Sequence, residues 1–222
     1  MLYQILSDDD LNLIQTEVFS NLKFVDGKNT QQLSKFYNIK DNKETVLPEK
    51  LQKHVQKIFL EGNLIKSIYA PTKVVARIYN RYSKDDFYDY HIDPFQSSTE
   101  KMIYNYGFTI CISDEYEGGE FIVKTNIGEA GYKLTAGQGL IFPVIYPHKV
   151  APVTEGLREN IIGWFSSNIT YEQSYILQNL FEATQIELQL IKEENDDIFK
   201  ELLQKTALVQ SYLTTKWGFK EW

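Results

Sequence analysis

The pattern of apolar and polar positions divides the chain into three regions. Residues 1 to about 70 contain two stretches with apolar side chains at helical spacing. The cluster Ser7–Asp10 supplies N-cap residues before the first stretch. The second stretch begins at Pro48, a suitable first helical residue, and Gly62 is expected to end it. The pattern therefore predicts two helices before residue 70.

The middle region, residues 71 to about 168, has short apolar runs separated by turn residues. The predicted strands cover Val74–Tyr79, Phe108–Ile112, Glu120–Val123, Gly139–Phe142 and Ile161–Phe165, and the predicted turns are Glu117–Gly119, Asn126–Glu129, Thr135–Gly137 and Thr154–Gly156. Because no helix-length segment interrupts this region, it predicts a β-sandwich or barrel and not a doubly wound parallel sheet.

Residues 169 to 222 return to helical spacing. The first apolar stripe and the second are separated by the polar segment Glu193–Asp197, and both are interpreted as packing faces. Their members are Leu177, Leu180, Phe181, Ile186 and Leu190 in the first stripe, and Ile198, Leu202, Leu203, Leu208, Tyr212, Leu213 and Trp217 in the second.

Composition narrows the class of protein. A hydrophobic fraction of 43% in 222 residues indicates a globular chain with a sizeable core. The net charge of −7, without a basic run, argues against a nucleic-acid partner. The single cysteine, Cys111, cannot form an internal disulfide and is interpreted as a buried small hydrophobe. The N-terminus has no signal-peptide pattern and no stretch approaches the roughly 18 apolar residues of a membrane span, so we expect a cytoplasmic protein.

Two of the three histidines fall in the predicted β region, and they carry the candidate chemistry. On a strand, His91 and Asp93 point to the same face, because alternate residues share a face. In an antiparallel jelly roll, His148 can return beside this pair. Two imidazoles and one carboxylate form the facial triad of non-haem iron oxygenases. The same ligands could hold zinc for hydrolysis, and His-x-Asp alone also occurs by chance.

Arg158 follows His148 at the start of the next predicted strand. An arginine there can bind a carboxylate through two parallel hydrogen bonds, as an oxo-acid cosubstrate needs. The alternative is a solvated charge at a strand end, beside Glu155 and Glu159.

Several segments together resemble one family, the Fe(II)/2-oxoglutarate dioxygenases of the prolyl 4-hydroxylase-like group, and within it the PKHD-type hydroxylases. The similar segments are Phe24–Lys28, Tyr79–Tyr82, Tyr88–Asp93, Ile112–Asp114, Tyr116–Glu120, His148–Arg158, Trp164 and Tyr212–Trp217. The spacing from the third ligand to the arginine is the most specific of these features. Lys149 stands where the PKHD-type members usually carry arginine, and Asp85–Asp86 replaces a small glycine-containing loop; we expect both near the pocket mouth.

The resemblance implies a fold and a set of site residues. The fold is mainly β with flanking helices: a double-stranded β-helix (jelly roll) core with N-terminal helices over residues 1–168, and a C-terminal helical extension over residues 169–222. The implied metal ligands are His91, Asp93 and His148. The implied cosubstrate-binding residues are Arg158, Tyr82, Thr109 and the pocket-wall residue Trp164, of which Tyr82 and Thr109 could equally be ordinary strand residues.

The resemblance also implies a reaction. It is a hydroxylation that requires Fe²⁺ and 2-oxoglutarate, with ascorbate as a further candidate cofactor, and that releases succinate and CO₂. A prolyl residue of a protein or peptide is the first candidate substrate, and a small molecule is the alternative. The protein is expected to be a monomer or a homodimer. Neither nucleic acid nor a membrane is expected as a partner. A non-catalytic binding module and a zinc hydrolase are the competing hypotheses. The polar loop Pro94–Asn105 is predicted to cover the pocket.

Overall fold

The computed structural model describes residues 1–30, 38–97, 101–194 and 196–218. The helices of this part are α1 (Asp8–Asn21), α2 (Glu49–Glu61), α3 (Asn63–Tyr69), α4 (Tyr171–Glu194) and α5 (Asp196–Gly218), and a short 3-10 helix covers Gly27–Thr30. The strands are β1 (Leu2–Gln4), β2 (Val25–Asp26), β3 (Lys40–Asp41), β4 (Lys43–Val46), β5 (Pro71–Tyr82), β6 (Phe87–His91), β7 (Gln96–Ser97), β8 (Met102–Ile103), β9 (Tyr106–Cys111), β10 (Tyr116–Gly118), β11 (Phe121–Thr125), β12 (Gly128–Tyr132), β13 (Gln138–Pro143), β14 (His148–Val150), β15 (Val153–Gly156) and β16 (Arg158–Ser167).

Two sheets form the β core. We call them the large sheet, with strand order β1-β13-β9-β16-β5-β4-β2, and the small sheet, with order β12-β11-β14-β6-β3. One apolar cluster joins Tyr82 and Leu140 of the large sheet to Phe121 and Val150 of the small sheet. The inner faces of two antiparallel sheets thus share a core, which confirms the predicted mainly β jelly roll with flanking helices.

The N-terminal helices agree with the sequence pattern. The side chain of Ser7 accepts a hydrogen bond from the backbone of Asp10, and the Asp10 carboxylate accepts one from the backbone of Ser7, so a capping box begins α1. Helix α2 begins one residue after Pro48 and ends just before Gly62. Helix α3 was not predicted, because it follows Gly62 directly and is only seven residues long.

The five predicted strands correspond to β5, β9, β11, β13 and β16, which are all longer than or shifted slightly from the apolar runs. The prediction of a turn at Thr154–Gly156 was wrong, because these residues lie in β15, where Glu155 and Gly156 pair with Glu117 and Tyr116. The pattern missed β3, whose two residues, Lys40 and Asp41, are both charged. Short polar strands carry no alternation of apolar residues from which they could be recognised.

The chain forms two compact units. The first comprises Met1–Gln56 and Val75–Phe165, and the second comprises Lys57–Val74 and the described residues from Ser166 onward. Within the second unit, Leu213 and Trp217 of α5 pack against a buried cluster of Ala70, Ile169 and Leu177. The division of the chain at residues 168 and 169 stays a prediction.

The C-terminal stripes only partly form packing faces. Leu177 of the first stripe is buried, whereas the side chains of Ile186 and Leu190 lie outside the described part. In the second stripe Ile198, Leu203, Leu208 and Tyr212 are exposed in the single chain, so their interpretation as part of a packing face stays a prediction. Asn195, the centre of the predicted polar break, is not described. Helix α4 ends just before it, at Glu194, and helix α5 begins just after it, at Asp196. None of the described helices has the length and hydropathy needed to cross a membrane.

Candidate functional site

Two adjacent strands of the small sheet bring the metal-ligand candidates together. His91 is the last residue of β6, and it lies directly opposite His148, the first residue of β14. Asp93 follows two residues after the end of β6, so it is placed by a loop and not, as expected, by strand alternation. One ligand atom from each of the three residues lies within 4.8 Å of the others. The three predicted side chains therefore form one cluster with the dimensions of a metal site.

Hydrogen bonds orient both imidazoles. Nδ1 of His91 lies 2.8 Å from the backbone oxygen of Asp89, and Nδ1 of His148 lies 3.0 Å from that of Tyr146. Each Nδ1 is therefore assigned as the donor, which leaves the lone pair on Nε2. The Nε2 atoms lie 3.8 Å (His91) and 3.7 Å (His148) from the carboxylate oxygens of Asp93. Both imidazoles thus turn their free nitrogen toward the carboxylate.

Burial keeps the first imidazole neutral. Desolvation, followed by the proximity of His148, lowers the pKa of His91 to about 3. A neutral imidazole is the form that ligates a metal ion. The ring of Tyr88 stacks on His91 with centroids 3.5 Å apart, and this contact further restricts the orientation of the imidazole.

Trp164 holds the carboxylate. Its indole Nε1 donates a hydrogen bond of 2.8 Å to Oδ2 of Asp93, and its ring stacks on Tyr104. Trp164 was expected as a pocket-wall residue, and the structure adds a contact with the candidate metal ligand. A donor of this kind fixes the rotamer of a ligating carboxylate.

The cluster opens into a cavity of about 450 Å³, which we call the metal cavity. This volume lies within the roughly 300–1,000 Å³ of typical small-molecule sites. The small sheet contributes His91, Tyr88 and His148, and the large sheet contributes Tyr82, Thr109 and Trp164, with further residues of both sheets. The candidate ligands and three of the four expected cosubstrate-binding residues thus share one cavity.

Arg158 lies just beyond the lining of this cavity. It is 1% exposed, and its Cζ lies 5.2 Å from the centroid of the Tyr82 ring. Within the described residues, its Nε and Nη2 atoms have no hydrogen-bond partner. A buried guanidinium with unpaired donors is costly unless an anion pairs with it. The prediction of a solvated strand-end charge was wrong, because the side chain is almost fully buried.

A glycine makes room for this arginine. Gly119 has φ +65°, in the left-handed region, and a Cβ at this position would lie 2.8 Å from Cδ of Arg158. The turn predicted at Glu117–Gly119 was wrong for Glu117 and Gly118, which lie in β10, whereas Gly119 follows the strand and leaves room for Arg158.

Tyr82 and Thr109 were the least certain of the expected residues. Tyr82 is fully buried, and burial raises the pKa of its hydroxyl far above the usual value. Thr109 accepts a hydrogen bond of 3.1 Å from Nδ2 of Asn160. Both line the metal cavity, so they are placed where a cosubstrate contact requires them, although their roles stay predictions.

Sequence reasoning missed several polar residues of the cavity region. Alternation could have found two of them: Asn160 lies between Arg158 and Trp164 on the same face of β16, and Asn80 precedes Tyr82 by two residues on β5. Lys40 and Glu44 also line the cavity, but no pattern in the sequence marked them. Both belong to short strands that the apolar pattern did not predict.

The two departures from the family pattern have different surroundings. Lys149 alternates with His148 on β14, and its Nζ lies 4.5 Å from the centroid of the Tyr90 ring. It is absent from the described lining of the metal cavity, and its expected place near the pocket mouth stays a prediction. Asp86 accepts a backbone hydrogen bond from Ser83 in the turn between β5 and β6.

The loop Pro94–Asn105 contains the paired strands β7 and β8, and its residues 98–100 lie outside the described part. Pro94 lines the metal cavity. Whether the loop as a whole covers the cavity stays a prediction.

The chain is similar to known oxygenases in its sequence. The family model described as the 2OG-Fe(II) oxygenase superfamily matches residues 78–166. A PKHD-type hydroxylase of Prochlorococcus marinus (strain MIT 9301) is 32% identical over 79% of this chain and 82% of its own length. Another PKHD-type hydroxylase, of Rippkaea orientalis, is 28% identical over 97% of each chain.

Solved structures give the same fold. A prolyl-4-hydroxylase of Pseudomonas putida has a TM-score of 0.56 at 16% identity, covering 74% of this chain and 90% of its own. A prolyl hydroxylase of Trichoplax adhaerens, solved in complex with a peptide fragment of hypoxia inducible factor, has a TM-score of 0.53 at 12% identity, covering 79% of this chain and 86% of its own.

Proposed function

We propose, from the premise that this chain belongs to the PKHD-type hydroxylases of the 2OG-Fe(II) oxygenase superfamily, that it hydroxylates a prolyl residue of a protein or peptide and releases succinate and CO₂. Membership makes the chain an Fe²⁺- and 2-oxoglutarate-dependent oxygenase. The hypotheses of a zinc hydrolase and of a non-catalytic binding module are therefore dropped.

His91, Asp93 and His148 are the proposed ligands of the ferrous ion. Their donor set of two imidazole nitrogens and one carboxylate suits Fe²⁺ and leaves coordination positions for other ligands. The observation that carries the proposal is the convergence of their free ligand atoms within 4.8 Å inside a cavity. When bound, the ferrous ion supplies the redox chemistry that couples the oxidation of 2-oxoglutarate by dioxygen to hydroxylation of a C–H bond.

Arg158 is the proposed partner of the distal carboxylate of 2-oxoglutarate. Its unpaired Nε and Nη2 donors support this role, because a carboxylate would satisfy both at once. The Tyr82 ring lies beside the guanidinium and also lines the cavity, so we expect this ring to move or to share the carboxylate as 2-oxoglutarate enters. Thr109 and Trp164 are proposed to bound the same compartment, and Trp164 additionally holds Asp93.

A peptide is the proposed substrate class. The Trichoplax adhaerens prolyl hydroxylase, which shares this fold, was solved with a bound peptide fragment. A second cavity, of about 490 Å³, adjoins the metal cavity and offers apolar walls at Val46, Ile78 and Tyr104. A peptide substrate needs such additional space, because its residues next to the target proline extend beyond the metal cavity.

The experiment uses protein purified without oxygen and reconstituted with Fe²⁺. Succinate release and the mass of each product are measured with 2-oxoglutarate and a library of proline-containing peptides. We expect succinate formation that depends on Fe²⁺ and a product heavier by one oxygen atom on proline. Succinate formation with oxygen inserted only into a free amino acid or another metabolite would contradict the peptide assignment but not the oxygenase chemistry.

Other expectations stay predictions: ascorbate as a cofactor, the cytoplasmic location, the absence of a nucleic-acid partner, and the choice between a monomer and a homodimer.

A further inference from the structure

Two cavities meet beside the metal-ligand candidates. The metal cavity and the second cavity, which we call the outer cavity, are both lined by Thr30, Glu44, Ile78, Pro94 and Trp164. Among these shared residues, Glu44 is the charged one. A substrate that occupies both cavities therefore passes this carboxylate.

Glu44 belongs to a buried ion pair. Its Oε2 atom lies 2.7 Å from Nζ of Lys40, and the side chains are 5% and 6% exposed respectively. Because the desolvation of two charges offsets most of their attraction, such a pair is a poor source of stability. Because the Lys40–Glu44 pair lies in the wall of the metal cavity, we consider a role in substrate recognition.

The two partners differ in how far their hydrogen-bonding capacity is used. Nζ of Lys40 donates to Glu44 and to Oγ1 of Thr30 at 3.1 Å, and it lies 4.7 Å from the centroid of the Tyr88 ring. Lys40 is therefore committed to protein groups. Glu44 binds Lys40 through Oε2, so Oε1 is the oxygen that we expect to accept from a donor in the cavities.

We propose that Glu44 is a specificity-determining residue that accepts a hydrogen bond from a main-chain N–H of the peptide substrate, next to the target proline. Lys40 acts as a positioning residue that holds the carboxylate at the junction of the two cavities. This inference rests on the proposed peptide substrate.

The charge of the site favours an amide over an ammonium donor. Lys40 already neutralises Glu44, and a second cation at Oε1 would face the Lys40 charge at short range. An amide N–H carries no such penalty. Proline has no N–H of its own, so the donor must belong to a neighbouring residue of the substrate. The apolar residues Val46, Ile78 and Tyr104 of the outer cavity would contact the side chains of that neighbour.

The test compares acetylated, amidated pentapeptides that have one central proline and differ only in N-methylation of one amide. The readout is kcat/KM for hydroxylated product, by mass spectrometry, for the wild type, for Glu44→Gln and for Glu159→Gln. Glu159 is the control, because its buried carboxylate forms an ion pair of 2.5 Å with the partly exposed Arg81 and alternates with Arg158 and Asn160 on the other face of β16.

For the wild type, we expect methylation of one particular amide to lower kcat/KM by about 10- to 100-fold, the range of a hydrogen bond to a charged group. In Glu44→Gln, the amide oxygen is expected to stay with Lys40 and the NH₂ group to face the substrate N–H. This variant should lose a similar factor with the unmethylated peptide and show little further loss on methylation, because the two changes remove the same interaction.

Two more variants guard against a merely structural effect. The double variant Lys40→Met/Glu44→Leu removes both charges together and leaves neither buried without a partner. Like Glu44→Gln, this double variant should no longer discriminate between methylated and unmethylated peptides. Lys40→Arg keeps a cation beside Glu44 and should retain most of that discrimination.

The outcomes separate this inference from the proposed function. If wild type and Glu44→Gln respond equally to methylation, or if Glu159→Gln gives the same loss as Glu44→Gln, the role of Glu44 is wrong while prolyl hydroxylation stands. If the wild type releases succinate but hydroxylates none of the peptides, the peptide assignment is wrong, and the inference falls with it.

Discussion

The two sheets contribute to the site in different ways. The small sheet supplies His91 and His148 from adjacent strands, and Asp93 follows one of them after two residues. The large sheet supplies its site residues from four strands that are far apart in the chain: Glu44 on β4, Asn80 and Tyr82 on β5, Thr109 on β9, and Arg158, Asn160 and Trp164 on β16. The metal-ligand candidates thus come from two adjacent strands of one sheet, whereas the cosubstrate and substrate candidates come from four strands of the other.

The difference has a physical origin. A metal ion needs a few specific donors at short range, so a small number of unusual residues suffices. The organic partners, 2-oxoglutarate and the substrate, carry a carboxylate, an amide and an apolar ring, and each group needs its own contact residue. The broad inner face of a sheet offers several such contact points. We therefore expect changes in the small sheet to abolish metal binding, and changes in the large sheet to alter affinity for organic partners.

The largest effect is expected for His148→Ala. It removes one of the three proposed metal ligands and leaves Asp93 without one neighbour, so Fe²⁺ affinity and 2-oxoglutarate turnover should fall by at least about 100-fold. Anaerobic metal titration and succinate release measure both. Lys149→Ala is the control, since the adjacent side chain contacts Tyr90 instead; equal losses in the two variants would count against the metal assignment.

Arg158→Lys should distinguish the contributions of the two sheets most directly, because it is expected to change 2-oxoglutarate binding and not metal binding. Lysine keeps the positive charge but cannot form the two parallel hydrogen bonds, so the KM for 2-oxoglutarate should rise by about 10- to 100-fold while Fe²⁺ affinity stays near that of the wild type. Steady-state kinetics and metal titration give the two values. An unchanged KM would exclude Arg158 as the carboxylate anchor.

Gly119→Ala tests the space beside Arg158. The new Cβ would lie 2.8 Å from Cδ of Arg158, and the positive φ adds roughly 1 kcal/mol or more of backbone strain. We expect a several-fold higher KM for 2-oxoglutarate together with a lower Tm. Gly128→Ala has φ +143° and nothing within 4 Å of its Cβ, so it should lower Tm without changing that KM.

Trp164→Phe links the two sheets, because Trp164 lies on the large sheet and its partner Asp93 follows a strand of the small sheet. It removes the indole N–H that donates to Asp93, so Fe²⁺ affinity should fall by about 10-fold. Trp217→Phe, in the second unit, is the control and should leave the metal titration unchanged. A change in 2-oxoglutarate KM alone would assign Trp164 to the cavity wall and not to the support of Asp93.

The comparison also explains which parts of the site could be predicted. His91, Asp93 and His148 were predictable because histidine is rare here and the fold family has a specific spacing. Asn80 and Asn160 were within reach of strand alternation from Tyr82 and Arg158. Lys40 and Glu44 were not, because a charged residue on a short strand is normally exposed, and nothing local indicates that two such side chains pair inside a cavity.

The fold shows the same division. Long apolar runs predicted β5, β9, β11, β13 and β16, since the buried face of a central strand needs apolar residues along its length. The edge strands β2, β3 and β12 carry no buried apolar residue and left no such trace. The exposed part of the second helical stripe shows the converse, because apolar spacing alone does not establish that a face is covered.

The sequence by itself determined the β core, the two N-terminal helices and the residue types needed for iron chemistry, because these depend on local spacing and on uncommon side chains. Only the tertiary structure decided that Asp93 is held by Trp164 from a loop, that Arg158 is buried with unpaired donors, and that Glu44 stands between two cavities. These features depend on contacts between strands far apart in the chain, and no local pattern encodes which of their side chains meet.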